Sequence, residues 1–452
     1  MCAAADDTIA ALASAPGPAG VAVVRVSGPA VPEIAQRLIG RLPEPRRAVL
    51  ARFRDAGGST IDQGVVLYFA APASFTGEHV LELQGHGGPV LVDELLSRLL
   101  ELGARLAGPG EFSERAFLND KLSLDQAEAI ADAIAAGSRV SARAAIRSLE
   151  GAFAREVEAL VEALTRLRVY TEAAIDFPDE DDVDFLGDGE IERRLSAITR
   201  ELAALRAQAA QGAVFRDGLR LVILGRPNVG KSSLLNRLAR RETAIVTDIA
   251  GTTRDVLQQQ LSIDGLPLVL VDTAGLRETE DPIEAEGVRR ARAEIATADR
   301  ILLVIDDRTG LSAADRTLLD EIDAEIEVTL IANKIDLSGR DPGMANVDGR
   351  PTVRVAAIDG RGFDALGAHL KSLVGIEDNA EPAFVARRRH LVALDRAAEA
   401  LADGHERLVV DGAGDLLAEE LRLAQNALGE ITGRVSSDDL LGEIFSSFCI
   451  GK

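Results

Sequence analysis

The segment from Gly225 to Ser233, GRPNVGKSS, restricts this chain more than any other stretch. It fits the pattern G-x-x-x-x-G-K-[ST]. An apolar run, Leu219 to Leu224, precedes it and reads as a buried parallel strand, and Leu234 to Leu238 follows with helical spacing. Strand, glycine loop and helix in that order form a phosphate cradle. The glycines let backbone N–H groups close on the phosphates, and the helix N-terminus adds a favourable dipole. Asn228, Val229, Gly230, Lys231, Ser232 and Ser233 are the candidate contacts. Lys231 reaches the outer phosphates and the Ser232 hydroxyl suits magnesium. The chain is expected to bind a nucleoside triphosphate.

Four further segments narrow the ligand. Asp272-Thr273-Ala274-Gly275 follows the strand-like Leu268 to Val271. An Asp at a strand end holds magnesium through water, and the glycine N–H can meet a γ-phosphate. Asn333-Lys334-Ile335-Asp336 follows the strand-like Val328 to Ile331. The Asp336 carboxylate would accept from N1–H and the exocyclic amine of guanine, two donors that adenine does not offer, which selects GTP. Ala356 and Ala357 stand where a last backbone contact to guanine is expected. Between the cradle helix and the next strand lie Thr247, Asp248, Ile249, Ala250, Gly251, Thr252 and Thr253. That is the place of a switch loop, with Thr253 brought to magnesium. Leu276 follows Gly275 where a glutamine would orient water, so hydrolysis needs another group or a cation.

Strand and helix signals alternate from about Arg216 to Gly375, which indicates a parallel sheet. The first ~110 residues read as a compact α+β domain, with strands at Val21 to Val26, Gly64 to Phe69 and His79 to Leu83 and a helix from Val90 to Leu102. From Glu111 the pattern is helical. Ser123 to Gln126 reads as a capping box. Ile146, Leu149, Phe153, Val157, Leu160, Leu164 and Leu167 predict one long helix that ends at Pro178 and the acidic run Asp179 to Asp184. A second stripe runs from Ile191 to Leu205, and helical composition returns after Pro382. An α/β unit is thus inserted into a helical domain.

At 452 residues the chain has room for two to four domains. A net charge of −23 argues against broad adhesion to nucleic acid or anionic membrane, leaving local basic patches or a basic partner for any RNA substrate. The two cysteines, Cys2 and Cys449, are too far apart in sequence to suggest a disulfide framework, and no apolar run is long enough to span a bilayer. A cytoplasmic protein is expected.

The motifs GRPNVGKSS, DIAGTTRD and DTAGLR, with the terminal FCIGK, resemble the MnmE (TrmE) family of bacterial tRNA-modification GTPases. Asp7 to Ile9, Arg25 to Gly28, Ser74 to Glu78, Glu82 to Gly88 and Glu111 to Lys121 extend the resemblance over the whole chain. It implies an N-terminal tetrahydrofolate-binding-like dimerisation domain (1–118), a discontinuous helical domain (119–215 and 376–452) and an inserted Ras-like G domain (216–375). The family works as a homodimer with the FAD-containing partner MnmG (GidA). Together they add an aminomethyl-type group to carbon 5 of the wobble uridine of certain tRNAs, using GTP and a folate one-carbon unit such as 5-formyltetrahydrofolate.

Carried over by motif, potassium would be held by Asn228, Thr247, Ile249 and Thr252, magnesium by Ser232 and Thr253, and Glu284 would orient the attacking water. On residues alone, Glu284 is as well a helix N-terminal acid favoured by the dipole. Arg25, Glu82, Lys121 and Lys452 would hold folate. Cys449 reads two ways, as a nucleophile or redox group, or as a small residue packing beside Phe445 and Phe448. The rival function is a GTPase switch in ribosome assembly or another RNA complex.

Overall fold

A computed structural model describes residues 7–176, 189–241, 258–263, 265–272, 298–323, 326–375, 381–411, 413–435, 438–446 and 448–451. It divides into two compact units. One comprises Met1–Ala131, Leu149–Ile191 and Ala400–Lys452, and the other Asp132–Ser148 and Glu192–Glu399.

The first unit is built on a six-stranded sheet. Its strands are β1 (Thr8–Leu12), β2 (Ala19–Ser27), β3 (Val49–Arg54), β4 (Thr60–Phe69), β5 (Val80–Gly87) and β6 (Ala104–Leu106). They are ordered β3-β4-β5-β2-β1-β6, antiparallel except for β1 against β6. Side chains alternate across a strand. Val24, Val26, Val66, Tyr68, Leu81 and Leu83 are therefore buried on the same side, against Val31, Ile34 and Leu38 of one helix and Leu95 and Leu99 of another. Arg25 and Glu82, out of step with those residues, share the opposite face as a register pair.

The predicted long helix is two helices, Arg139–Leu149 and Ala152–Asp176. Gly151, at φ 82°, ends the run in a left-handed conformation that a residue with a Cβ adopts at a cost. Ile146 consequently leaves the stripe and is half-exposed, while Phe153, Val157, Leu160, Leu164 and Leu167 stay buried. Residues 178–184 lie outside the described residues. The capping box at Ser123 is present in one direction. Gln126 accepts from the Ser123 N–H at 3.0 Å, while the Ser123 hydroxyl turns to Asp125, 2.6 Å away, and to Gln126. Phe445, Phe448, Leu441 and Ile444 close an apolar cluster with Leu124 and Ala127.

The second unit holds a seven-stranded sheet. The strands are β7 (Leu219–Leu224), β8 (Gln258–Ile263), β9 (Leu266–Asp272), β10 (Arg300–Asp306), β11 (Val328–Asn333), β12 (Gly343–Val347) and β13 (Arg350–Val355). The order is β12-β13-β11-β10-β7-β9-β8. The five inner strands are parallel, and β8 and β12 run antiparallel at the edges. β10 and β11 are buried throughout, as expected of strands covered on both faces. Both flanking cores are apolar. Among the described residues no helix is long and apolar enough to cross a membrane.

Candidate functional site

The phosphate cradle begins where β7 ends and the helix Lys231–Arg241 begins. Five of six residues of β7 are buried, which fixes the strand in the sheet and brings Gly225 to its edge. Lys231 Nζ donates to the carbonyls of Gly225 at 2.7 Å and Arg226 at 3.1 Å, so the amine lies back across the loop that it closes. Ser232 and Ser233 are exposed in the first helical turn. Asn228 is exposed and has φ 64°, a left-handed backbone uncommon for a residue other than glycine. Gly230 has φ 101°, and a Cβ there would lie 2.3 Å from Asn333 Nδ2. Only glycine serves at that position, because Asn333 packs directly on the cradle. Arg226 Nε donates to Asp315 at 2.9 Å, and Asp315 is fully buried as part of the capping box of the helix Ala313–Asp320.

Asn333 ties three segments together. Its amide donates to the Val229 carbonyl at 2.9 Å, and its side-chain oxygen accepts from the Ala357 N–H at 3.0 Å. The loop at Ala356 and Ala357 is therefore fixed through backbone groups, with Ala356 N–H on the Arg361 carbonyl. Lys334, left-handed at φ 72°, donates from Nζ to the Asn228 carbonyl at 2.6 Å and to Asp306 at 2.9 Å. Arg308 grips the same Asp306 carboxylate with Nε at 3.0 Å and Nη2 at 2.7 Å. The Arg308 bonds, then the Lys334 amine, hold Asp306 far below the usual carboxylate range.

The cradle and the Asn333, Lys334 and Ala357 groups are thus gathered at one end of the parallel sheet, with Asp336 in the helical turn directly after Lys334. Asp272 ends β9. Thr247, Asp248, Ile249, Ala250, Gly251, Thr252, Thr253, Thr273, Ala274, Gly275, Glu284 and Lys452 lie outside the described residues. Sequence reasoning missed Asp306 and the Arg226–Asp315 pair. The signal for Asp306 was the one used for Asp272, an acid closing an apolar strand.

In the first unit Arg25 donates through Nε and Nη2 to Glu82 at 3.1 and 2.9 Å, and its guanidinium lies 5.4 and 5.7 Å from the ring centres of Phe75 and Phe112. Lys121 is exposed, with its side chain beside Gly77. Buried Arg115 pairs with Asp7, Glu78 and Glu111 at 2.7, 3.1 and 3.0 Å. Burial raises the Glu111 carboxyl, but hydrogen bonds from Arg105, Gly108 N–H and Arg115 outweigh it and leave the group below its ordinary value. Arg105 and Arg115 likewise overcome burial at Asp7. Cys449 is exposed, and its carbonyl accepts from Gly110 N–H at 3.3 Å, whereas Phe445 and Phe448 beside it are buried.

The chain has relatives among known proteins. A family described as "MnmE helical domain" matches residues 124–449, and one described as "GTP-binding protein TrmE N-terminus" matches residues 8–121. A protein of Yersinia pseudotuberculosis serotype IB (strain PB1/+) named "tRNA modification GTPase MnmE" is 56% identical over 99% of each chain. A Yersinia pestis protein of the same name gives the same identity and coverage. Among solved structures, Era from Aquifex aeolicus is 25% identical over 40% of this chain and 66% of its own, with a TM-score of 0.27. Matches to both ends of the chain, and relatives alike along nearly all of it, establish that this chain belongs to the MnmE (TrmE) family.

Proposed function

We propose that this chain is a GTP hydrolase that acts in tRNA wobble-uridine modification. With a FAD-containing partner of the MnmG (GidA) kind, it adds an aminomethyl-type group to carbon 5 of that base. Likeness to the tRNA-modification GTPases over 99% of the chain carries this reading, since it takes in the N-terminal sheet as well as the nucleotide motifs. Three domains are assigned, 1–118, 119–215 with 376–452, and 216–375, and the working form is a homodimer in the cytoplasm that joins the partner as a heterotetramer and receives tRNA.

The side chains suit the ligands this reading requires. Lys231 and the helix N-terminus after it suit the phosphates of GTP. Ser232, exposed at that turn, would hold magnesium with Thr253. The Asn228 carbonyl is already used by Lys334, which leaves the side-chain oxygen of this exposed residue suited to a hard cation. Potassium there, with Thr247, Ile249 and Thr252, would supply positive charge beside the phosphates. Glu284 would orient the water. Arg25 over two aromatic rings suits the flat, anionic chemistry of folate, joined by Glu82, Lys121 and Lys452. Cys449, exposed, is assigned to the modification chemistry.

Nucleoside analysis of tRNA from cells lacking this chain tests the reading. The wobble-uridine modification should disappear and return with the intact gene, but not with a Lys231→Ala copy. Unchanged nucleosides together with accumulated ribosome precursors would instead favour the assembly switch.

A further inference from the structure

β10 is apolar from Ile301 to Ile305 and ends in Asp306, with Asp307 directly after it, and both acids are buried. A buried carboxylate persists only with partners; besides Arg308, Asp306 takes Lys334 of the base-reading segment, and Asp307 takes residues just beyond it. Asp306 holds the Lys334 amine at 2.9 Å while that amine also donates to the Asn228 carbonyl at 2.6 Å. On the far side of Asp336, Asp307 accepts from the Ser338 hydroxyl and from Arg340 at 3.3 Å, and its own N–H donates to the Asn333 carbonyl at 2.8 Å. Asn333 to Asp336 is thus fastened both before and after the carboxylate that would meet the base.

We propose that Asp306 is a positioning residue for nucleotide recognition, setting the Lys334 amine on the Asn228 carbonyl so that the base-reading segment and the phosphate cradle move as one piece. Lys334 needs such a hold. Its backbone is left-handed, and its side chain has a long flexible stem, so without the carboxylate the amine has many alternatives in water. Asp306 neutralises that amine and orients it, and Arg308 grips the carboxylate from the other side. The nucleotide then meets a cradle whose Asn228 carbonyl is already turned and held. The proposal rests on the assignment of Gly225–Ser233 and Asn333–Asp336 to the guanine nucleotide.

A double-mutant cycle on the full-length protein tests it, reading the equilibrium and dissociation rate of a fluorescent GDP. Asp306→Asn and Lys334→Ala should each weaken binding by about tenfold or more, as expected for hydrogen bonds to charged groups. The double variant should be no weaker than Lys334→Ala alone, because both remove one contact. Additive losses, or wild-type affinity in Asp306→Asn, would overturn the proposal. Full affinity in Lys334→Ala would instead overturn the site assignment itself. Arg308→Gln, at a half-exposed position, keeps the test decisive if Asp306→Asn does not fold. Affinity within about threefold of wild type fits a lysine-directed role, whereas a tenfold loss would assign the carboxylate to the arginine and sink the proposal.

Discussion

The two candidate sites are built in opposite ways. The nucleotide site uses short contiguous segments at the ends of parallel strands, and many of its contacts go through backbone groups, as with Lys231 on Gly225 and Asn333 on Val229. The N-terminal site uses side chains drawn from distant positions. Arg25 meets Glu82 across β2 and β5, and Arg115 collects Asp7, Glu78 and Glu111. A backbone site is spelled by glycines and spacing. A side-chain site depends on register, which no single segment displays. The first should fail through geometry when altered, and the second through uncompensated charge.

Gly230→Ala should give the largest effect. It demands a left-handed alanine whose Cβ meets Asn333 Nδ2. Strain and clash together should weaken GDP binding by at least ~100-fold, read by equilibrium titration. Near-normal binding would break the claim that the cradle tolerates no Cβ. Next, Asp336→Asn should reverse the preference from guanine to xanthine nucleotides by about 100-fold, because the carboxylate would accept two hydrogen bonds from the guanine base. Unchanged selectivity would remove Asp336 from the base.

Arg115→Met tests the other style of construction. Leaving three carboxylates around an apolar side chain should cost about 3–5 kcal/mol in the N-terminal unit, seen as an earlier thermal transition with GTP hydrolysis preserved. The same network sets a pH dependence. Glu111 is held below its ordinary 4.5, so its contribution is complete above that pH and is lost as pH falls through the lower folded value. Arg105 lowers the group most, so Arg105→Met should flatten this acid-side slope and Arg115→Met should do so only in part. A slope as steep as wild type in Arg105→Met would show that this arginine is not its source. The smallest effect belongs to Glu82→Gln, at a partly exposed pair. It should lower folate affinity about tenfold, with a stability change under ~1 kcal/mol. A large loss of stability with intact folate binding would make the pair structural.

This contrast governs what could be read from the chain. β7, the helix after it and β11 follow from apolar runs and glycine placement, and they are found where expected. The break at Gly151 was passed over, because the apolar stripe in the sequence runs on across it and outweighed the glycine that stops the helix. The direction of the Ser123 hydroxyl was not legible, since Asp125 competes for it over a distance that periodicity ignores. Asp306 had a visible signal but not a visible partner: that Lys334 reaches back to it follows from the parallel pairing of β10 and β11.

The cluster formed by Leu124, Ala127, Leu441, Ile444, Phe445 and Phe448 has a bearing on how the protein is made. A ribosome releases Leu124 long before it reaches Phe445, and at ordinary elongation rates of ~5–20 residues per second the interval lasts tens of seconds. The parallel sheet in between needs only residues from Leu219 to Val355, all of which have been synthesised within that time. Leu124 and Ala127 meanwhile present an uncovered apolar surface to the crowded cell. The later-made half of the chain can thus finish its sheet first, and the earlier-made half stays vulnerable to aggregation until its last partners emerge.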